Sequence, residues 1–172
     1  GGGAGEDAQR FDVLLERGAE RAKALAEMAR VVRNHGALLI ADEVMTGWGR
    51  TGTLFACEQA GVSPDIMCVA KGITGGALPL AATLATAEIF EAHVSEDRRR
   101  TFFHSSSYTA NPIACAAALA NCEIWQSEPV RDRIAELTRM QTERLEDLTV
   151  DADFINARRL GTITALDLAG AG

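Results

Sequence analysis

Long apolar runs are missing from this 172-residue sequence. No run approaches the roughly 20 residues that a membrane-spanning helix needs, and the N-terminus lacks the apolar core of a signal peptide. The composition is otherwise that of a globular chain, with 47% hydrophobic and 24% charged residues. The sequence therefore predicts a cytoplasmic protein without a membrane partner.

Basic charge is also scarce. There are 17 basic and 24 acidic residues, which give a net charge of -7. The single basic run, Arg98 to Arg100, directly follows the acidic pair Glu96 and Asp97. Because a nucleic-acid surface needs a strong basic footprint, we expect no nucleic-acid partner.

Cysteine is limited to 4 residues, and none of them forms a CxxC pair. Each lies in an apolar or alanine-rich setting, and the 3 histidines are scattered away from them. Buried free thiols fit this pattern better than disulfides or zinc, so we predict no metal site. The cysteines are Cys57, Cys68, Cys115 and Cys122.

Hydrophobic periodicity and turn residues predict alternating helices and strands after a glycine-rich, linker-like start. Gly36 is the expected C-terminal cap of the first helix, and Asn111 with Pro112 is a strong helix start. Helices are predicted over residues 19–35, 54–60, 87–93, 112–126 and 129–148, and strands over 37–41, 66–70 and 80–85, with strand-like residues in 154–168.

Two of the predicted strands end in a charged residue. The strand 37–41 leads into Asp42 and Glu43, and the strand 66–70 leads into Lys71. Both strands are continuously apolar, which is typical of a parallel α/β sheet buried on both faces, whose strand ends meet at a site. Taken alone, an acidic pair at such a place is more often a surface pair or a helix cap, and a lone lysine is more often solvated.

Together the acid and the lysine suit one kind of chemistry. A lysine that loses part of its hydration at a strand end becomes a better nucleophile toward a carbonyl and can form a Schiff base. Pyridoxal phosphate is commonly held in this way, with a carboxylate against its pyridine nitrogen. We therefore predict that Lys71 and Asp42 bind this cofactor.

A hydroxyl-rich run precedes the helix that starts at Asn111 and Pro112. Hydroxyls beside a helix N-terminus form a plausible site for the cofactor phosphate, although such a run alone is most often a turn. The run comprises Ser105, Ser106, Ser107, Tyr108 and Thr109.

Read together, these segments closely resemble the core of the class III pyridoxal-phosphate aminotransferases of fold type I. The resemblance is carried by the block D-E-V-x-T-G-x-G-R-T-G from Asp42, the P-D-I block from Pro64 and the A-K-G-x-T-G-G block around Lys71. The blocks follow the family's order and spacing, with 71 − 42 = 29 residues between the acid and the lysine.

The resemblance implies a role for five positions. Lys71 would be the catalytic lysine that binds the cofactor covalently, and Asp42 would pair with its pyridine nitrogen. Val44 would pack against one face of the ring. Ser107 would reach across a homodimer interface to the cofactor phosphate of the other subunit. Arg50 would line the substrate region; the alternative is that it holds its loop through an ion pair.

The implied reaction is amino transfer between a small-molecule amino donor and a keto acceptor. Two segments, G-R-T-G-T-L-F-A-C-E from Gly49 and H-S-S-S-Y-T-A-N-P-I-A-C-A-A-A from His104, look most like family members that transfer an amino group from S-adenosylmethionine to 8-amino-7-oxononanoate in biotin biosynthesis. Met45 stands where many ornithine-type and 4-aminobutyrate-type members have glutamine. The alternatives are an ω-amino-acid:pyruvate aminotransferase, an inactive fragment or scaffold, and a cofactor-free lysine aldolase.

The implied fold is α/β. Residues 24–128 would form the C-terminal half of the cofactor-binding large domain, a mostly parallel sheet with packed helices. Residues 129–172 would be a connecting helix and the start of the small α+β domain, and residues 1–23 do not match. Family subunits are more than twice this length, so we expect the phosphate loop, the stacking aromatic and the substrate arginine to lie outside this chain.

Overall fold

The first helix is longer than the sequence pattern indicated. The computed structural model describes residues 3–104 and 106–170, with the backbone alone for residues 3–18. Helix α1 spans Gly3–Asn34, so the prediction of a linker-like start is wrong from Gly3 onward, while Gly1 and Gly2 lie outside the described residues. No helix in the described part of the chain is long and apolar enough to cross a membrane.

The end of α1 follows the predicted capping. Gly36 has a φ of 64°, and its N–H donates to the Arg33 carbonyl at 3.0 Å. The next N–H, that of Ala37, donates to the Val32 carbonyl at 3.1 Å. These two bonds satisfy carbonyls of the last helical turn, which is why a glycine is preferred there.

A three-stranded sheet follows, with strand order β1-β2-β3. Strand β1 is Ile40–Asp42, β2 is Ile66–Ala70 and β3 is Ala81–Ala85. Strand β2 has the predicted bounds, whereas β1 is shorter than predicted and shifted toward Asp42. The pair β1–β2 is parallel, and β2–β3 is antiparallel. The described sheet is therefore mixed rather than mostly parallel, because the short connection from β2 to β3 permits only an antiparallel return.

The prediction that the first two strands are buried on both faces is wrong for β1 and holds only in part for β2. Ile40 of β1 is 61% exposed, whereas β2 contains the buried Val69 among half-buried residues. Burial of both faces requires helices that pack across both. Helix α1 packs mainly on a 3₁₀ turn at Ala56–Ala60 rather than across this sheet.

Three further helices complete the helical part. Helix α2 is Ala87–His93, α3 is Pro112–Ser127 and α4 is Val130–Thr149. The predicted start of α3 is confirmed, since Asn111 Oδ1 accepts from the N–H groups of Ile113 at 3.0 Å and Ala114 at 3.2 Å. This cap satisfies two of the four free N–H groups of a helix start.

The chain ends in a hairpin that packs on the glycine-rich loop after β1. Strands β4, Phe154–Leu160, and β5, Ile163–Leu168, pair in antiparallel fashion. In the turn between them, the Thr162 N–H donates to the Arg50 carbonyl at 3.0 Å. A Cβ at Gly161, whose φ is 58°, would lie 2.1 Å from the Thr51 carbonyl carbon. Only glycine allows this approach, which places the hairpin against the loop that leaves Asp42.

Candidate functional site

The parallel pair β1–β2 brings the two candidate residues to one edge of the sheet. Asp42 is the last residue of β1 and lies opposite Cys68 of β2. Lys71 follows β2 directly. Neighbouring strands are about 4.8 Å apart, and parallel strands end at the same edge. The prediction that these strand ends meet is confirmed.

Asp42 is exposed, and its side chain makes one hydrogen bond among the described contacts. Its Oδ1 accepts from the Val44 N–H at 3.0 Å. No ion pair between Asp42 and Lys71 occurs in the described ranges. One carboxylate oxygen therefore remains available to accept a hydrogen bond from a ligand, such as a protonated ring nitrogen.

Lys71 starts a 3₁₀ turn, Lys71–Thr74, with a φ of 50°. This left-handed conformation is uncommon for a residue with a side chain and often marks a functional position. The Nζ lies 2.7 Å from the Met45 Sδ. The expectation of a partly dehydrated lysine is wrong here, because Lys71 is exposed. A thioether is only a weak acceptor, so the amine remains available for reaction.

The turn after Lys71 is held from two sides by residues that sequence reasoning did not single out. Asn121 of α3 donates through Nδ2 to the carbonyls of Gly72 at 2.9 Å and Ile73 at 3.2 Å. On the other side, a Cβ at Gly72 would lie 2.4 Å from the Trp48 Cβ. Asn121 could have been noticed in the sequence because it is a polar residue within the alanine-rich helix α3.

Glu43 and Asp42 are neighbours with opposite environments. Glu43 is 2% exposed, and its Oε1 accepts from the Cys57 N–H at 2.9 Å. Its other carboxylate oxygen accepts from the Thr46 hydroxyl. Glu43 directly follows β1, and its N–H donates to the Cys68 carbonyl at 2.9 Å. Successive side chains of an extended segment point to opposite faces, so Asp42 faces outward while Glu43 is buried. Glu43 therefore fixes the loop between residues 43 and 57. This role was not predicted, because the sequence showed Asp42 and Glu43 only as an acidic pair.

Cys57 lies against this buried acid. Burial, and then the hydrogen bond to Glu43, raise the pKa of the Cys57 thiol from its ordinary 9.0 to about 11. All four cysteines are free, but their burial differs, since Cys115 is exposed. The prediction of buried free thiols is confirmed for Cys57 and wrong for Cys115. Within the described ranges no group of His, Cys, Asp and Glu could hold a metal ion.

The Cys57 thiol is expected to resist alkylation. At about pH 8, iodoacetamide should modify Cys57 at least about tenfold more slowly than Cys115, because only a thiolate reacts and Cys57 is buried. A raised pKa favours the protonated thiol of the folded state, so its contribution to stability is present below pH 9.0 and lost as the pH rises toward about 11. Mass spectrometry of timed samples checks the first statement. The second requires that Cys57→Ser flatten the pH dependence of unfolding, and an unchanged dependence would contradict it.

Of the remaining predicted positions, Val44 is linked to Asp42 through its backbone N–H, whereas no described hydrogen bond links the side chain of Arg50 or Ser107 to Asp42 or Lys71. Val44 is half-buried, and Arg50 and Ser107 are exposed. No ion pair in the described part of the chain includes Arg50, so the alternative of a loop-holding ion pair finds no support there. No hydrogen bond in the same ranges joins Ser107 to Asp42 or Lys71.

The predicted phosphate site is only partly described. Ser105 lies outside the described residues. Ser106 and Thr109 close a turn, with the Ser106 N–H donating to the Thr109 Oγ1 at 3.0 Å. Two N–H groups at the start of α3 are taken by Asn111, the predicted N-cap, so they are not available to an anion.

The donor set fits two of the three groups by which pyridoxal phosphate is held. An available primary amine suits the aldehyde, and a carboxylate with an available oxygen suits the pyridine nitrogen. Asp42 supplies its group from the end of β1, and Lys71 supplies its group from the turn that directly follows the parallel strand β2. The hydroxyl-rich turn supplies the exposed Ser106, Ser107 and Thr109 near the start of α3. The chemistry of these side chains is compatible with the cofactor.

Comparison with known proteins gives a family match and a curated relative. The family model described as aminotransferase class-III matches residues 18–172. The adenosylmethionine-8-amino-7-oxononanoate aminotransferase of Aquifex aeolicus (strain VF5) is 43% identical over 145 residues. The aligned part covers 84% of this chain and 32% of the relative, so the chain spans about a third of that protein's length.

Solved structures agree. An adenosylmethionine-8-amino-7-oxononanoate aminotransferase from Methanocaldococcus jannaschii DSM 2661 has a TM-score of 0.78 and 34% identity, covering 85% of this chain and 34% of that one. An amine transaminase from an uncultivated Pseudomonas species, in its PLP-bound internal aldimine form, has a TM-score of 0.78 and 38% identity, covering 87% and 34%. The predicted α/β fold and the resemblance to fold type I transaminases are confirmed.

Proposed function

The chain belongs to the class III aminotransferases, and on that basis we propose that it is part of a pyridoxal-phosphate-dependent aminotransferase whose cofactor is held by Lys71 and Asp42. The observation that carries this proposal is the parallel pairing of β1 with β2, which brings the ends of both strands to one edge of the sheet. The available Lys71 amine and the available Asp42 oxygen would then serve the two ends of one small ligand.

Each residue has a distinct task in this proposal. Lys71 would hold the aldehyde carbon of the cofactor, and Asp42 would hold the protonated pyridine nitrogen through charge and a hydrogen bond. Val44, half-buried two residues after Asp42, would pack against a face of the ring. When bound, pyridoxal phosphate supplies an electron sink for the electron pair left at the substrate Cα. Once the substrate amine had taken its place at the cofactor, the released Lys71 amine would act as the base that removes the proton from that Cα.

The proposed reaction is amino transfer from S-adenosylmethionine to 8-amino-7-oxononanoate in biotin biosynthesis. Its support is the 43% identity with the Aquifex aeolicus aminotransferase that carries this name. The alternative is an ω-amino-acid:pyruvate aminotransferase, favoured by the similarity to an amine transaminase structure at 38% identity. Arg50 would bind substrate in either case, since its side chain is exposed on the glycine-rich loop.

The arrangement of the whole protein belongs to the same proposal. Ser107 is exposed and would reach the cofactor phosphate of a second subunit in a homodimer. Residues 24–128 would belong to the large domain, and residues 129–172 would lead into the small domain. Four free cysteines fit a reducing, cytoplasmic location.

An amino-transfer assay tests the proposed function. The chain, at high concentration with pyridoxal phosphate, is given 8-amino-7-oxononanoate with S-adenosylmethionine, and in parallel an ω-amino acid with pyruvate. Product from the first pair supports the proposed reaction, and product from the second pair alone favours the alternative. No product from either pair, with the cofactor bound at Lys71, would identify this chain by itself as a cofactor-binding part of the enzyme, and failure of the cofactor to bind at Lys71 would overturn the proposal. The matched control for cofactor binding is Lys23→Ala. Lys23 and Lys71 are the only lysines of the sequence, so binding at Lys71 should survive the loss of Lys23.

A further inference from the structure

We propose that Asn121 is a positioning residue for Lys71, acting through the backbone of the turn that Lys71 begins. The proposal rests on the proposed function of Lys71 as the residue that holds the cofactor. Asn121 lies near the middle of α3, far along the chain from the turn, and reaches the turn with its side-chain amide.

Both hydrogen bonds that the Asn121 side chain donates go to this turn. Asn121 is half-buried, and its Nδ2 donates to the carbonyls of Gly72 at 2.9 Å and Ile73 at 3.2 Å. These are the two residues that follow Lys71. The side-chain amide of asparagine has two N–H donors, so the pair of carbonyls uses its full donor capacity. An amide placed only to solubilise α3 would face water instead.

The turn needs such support because its conformation is unfavourable for Lys71. The φ of Lys71 is 50°, and left-handed geometry at a residue with a side chain persists only where neighbouring structure holds it. Trp48 packs on Gly72 from the other side, where a Cβ would lie 2.4 Å from the Trp48 Cβ. The turn is thus held between the loop after β1 and helix α3.

The backbone decides where the Lys71 amine points. The described contact of its Nζ is the Met45 thioether at 2.7 Å, which is a weak acceptor and directs the amine poorly. Once the left-handed backbone of Lys71 is held, its Cα–Cβ bond has one direction relative to Asp42 on the adjacent strand. Loss of the Asn121 bonds would let the turn relax and would misplace the amine.

Two substitutions test this role. Asn121→Asp keeps the shape and replaces both donors with acceptors that face two carbonyls, while Asn121→Leu removes the amide altogether. The matched control is Gln126→Glu, an exposed amide on the same helix. Amide hydrogen exchange is measured by NMR at Gly75 and Gly76, whose N–H groups donate to the carbonyls of Gly72 at 2.9 Å and Lys71 at 3.2 Å. Exchange in β2 reports whether each variant is folded.

Both Asn121 variants are expected to exchange at least about tenfold faster at these glycines, with β2 and the control unchanged. Covalent capture of pyridoxal phosphate at Lys71, measured against capture at Lys23 after borohydride reduction, should fall about tenfold or more. Unchanged exchange overturns the proposal, and so does faster exchange with full capture, which would show a merely structural role. If the unaltered chain shows no preference for Lys71, the proposed function fails, and the exchange rates still decide whether Asn121 holds the turn.

Discussion

Replacing Lys71 with alanine is expected to abolish covalent capture of pyridoxal phosphate at the strand ends. The chain has one other lysine, Lys23 in α1, so the N-terminal amine and Lys23 are the remaining places where a primary amine could react. Amino transfer, where the unaltered chain shows it, should fall by at least about a hundredfold, because the base at the substrate Cα is lost as well.

The fold should tolerate this change. Lys71 is exposed, and the described contact of its Nζ is with Met45, so the expected change in stability is about 0.5 kcal/mol or less. Capture is measured by mass spectrometry of the borohydride-reduced protein and its peptides. The Lys23→Ala variant should keep full capture, and equal capture by Lys71→Ala and the unaltered chain would contradict the assignment of Lys71.

Replacing Glu43 with alanine is expected to destabilise the chain by about 3 kcal/mol, since buried donors lose a charged acceptor. Glu43 is 2% exposed, and the Cys57 N–H and the Thr46 hydroxyl both donate to its carboxylate. Alanine would leave these two donors unsatisfied and a cavity where the side chain lay. The loop that connects β1 to the 3₁₀ turn at Ala56–Ala60 would be held less firmly.

Two variants make the Glu43 result specific. Glu43→Gln keeps an acceptor oxygen for the Cys57 N–H and should cost much less than alanine. Asp42→Ala changes the adjacent, exposed acid, which accepts only from the Val44 N–H in the described contacts, and should leave stability within about 0.5 kcal/mol. Urea denaturation of the four proteins gives the comparison. A loss in Asp42→Ala that equals the loss in Glu43→Ala would refute the distinction between the two acids.

These two acids show how far a sequence pattern reaches. Alternation continued one residue past β1 implies that Asp42 and Glu43 face opposite ways, but it does not say which of them is buried. That choice depends on the Cys57 N–H and the Thr46 hydroxyl, which approach Glu43 from a later loop. Position within a strand is local information, whereas burial depends on distant segments.

The bounds of several elements were predictable because they depend on local sequence information. Strand β2, helix α2 and the start of α3 at Asn111 rest on apolar periodicity and capping, which involve neighbours a few residues apart. The antiparallel return to β3 and the exposure of Ile40 and Leu84 were not predictable, because pairing direction and coverage of a sheet depend on which other segments pack there.

The sequence by itself determined the family, through motif blocks at the right spacing around Asp42 and Lys71, and it determined the chemistry available at those positions, an acid and an amine. Only the tertiary structure decided that Lys71 has a left-handed backbone, and that Asn121 and Trp48 hold the turn after it. The reason is physical: side-chain chemistry is a property of each residue, but the direction in which a lysine amine points is set by contacts between segments far apart in the chain.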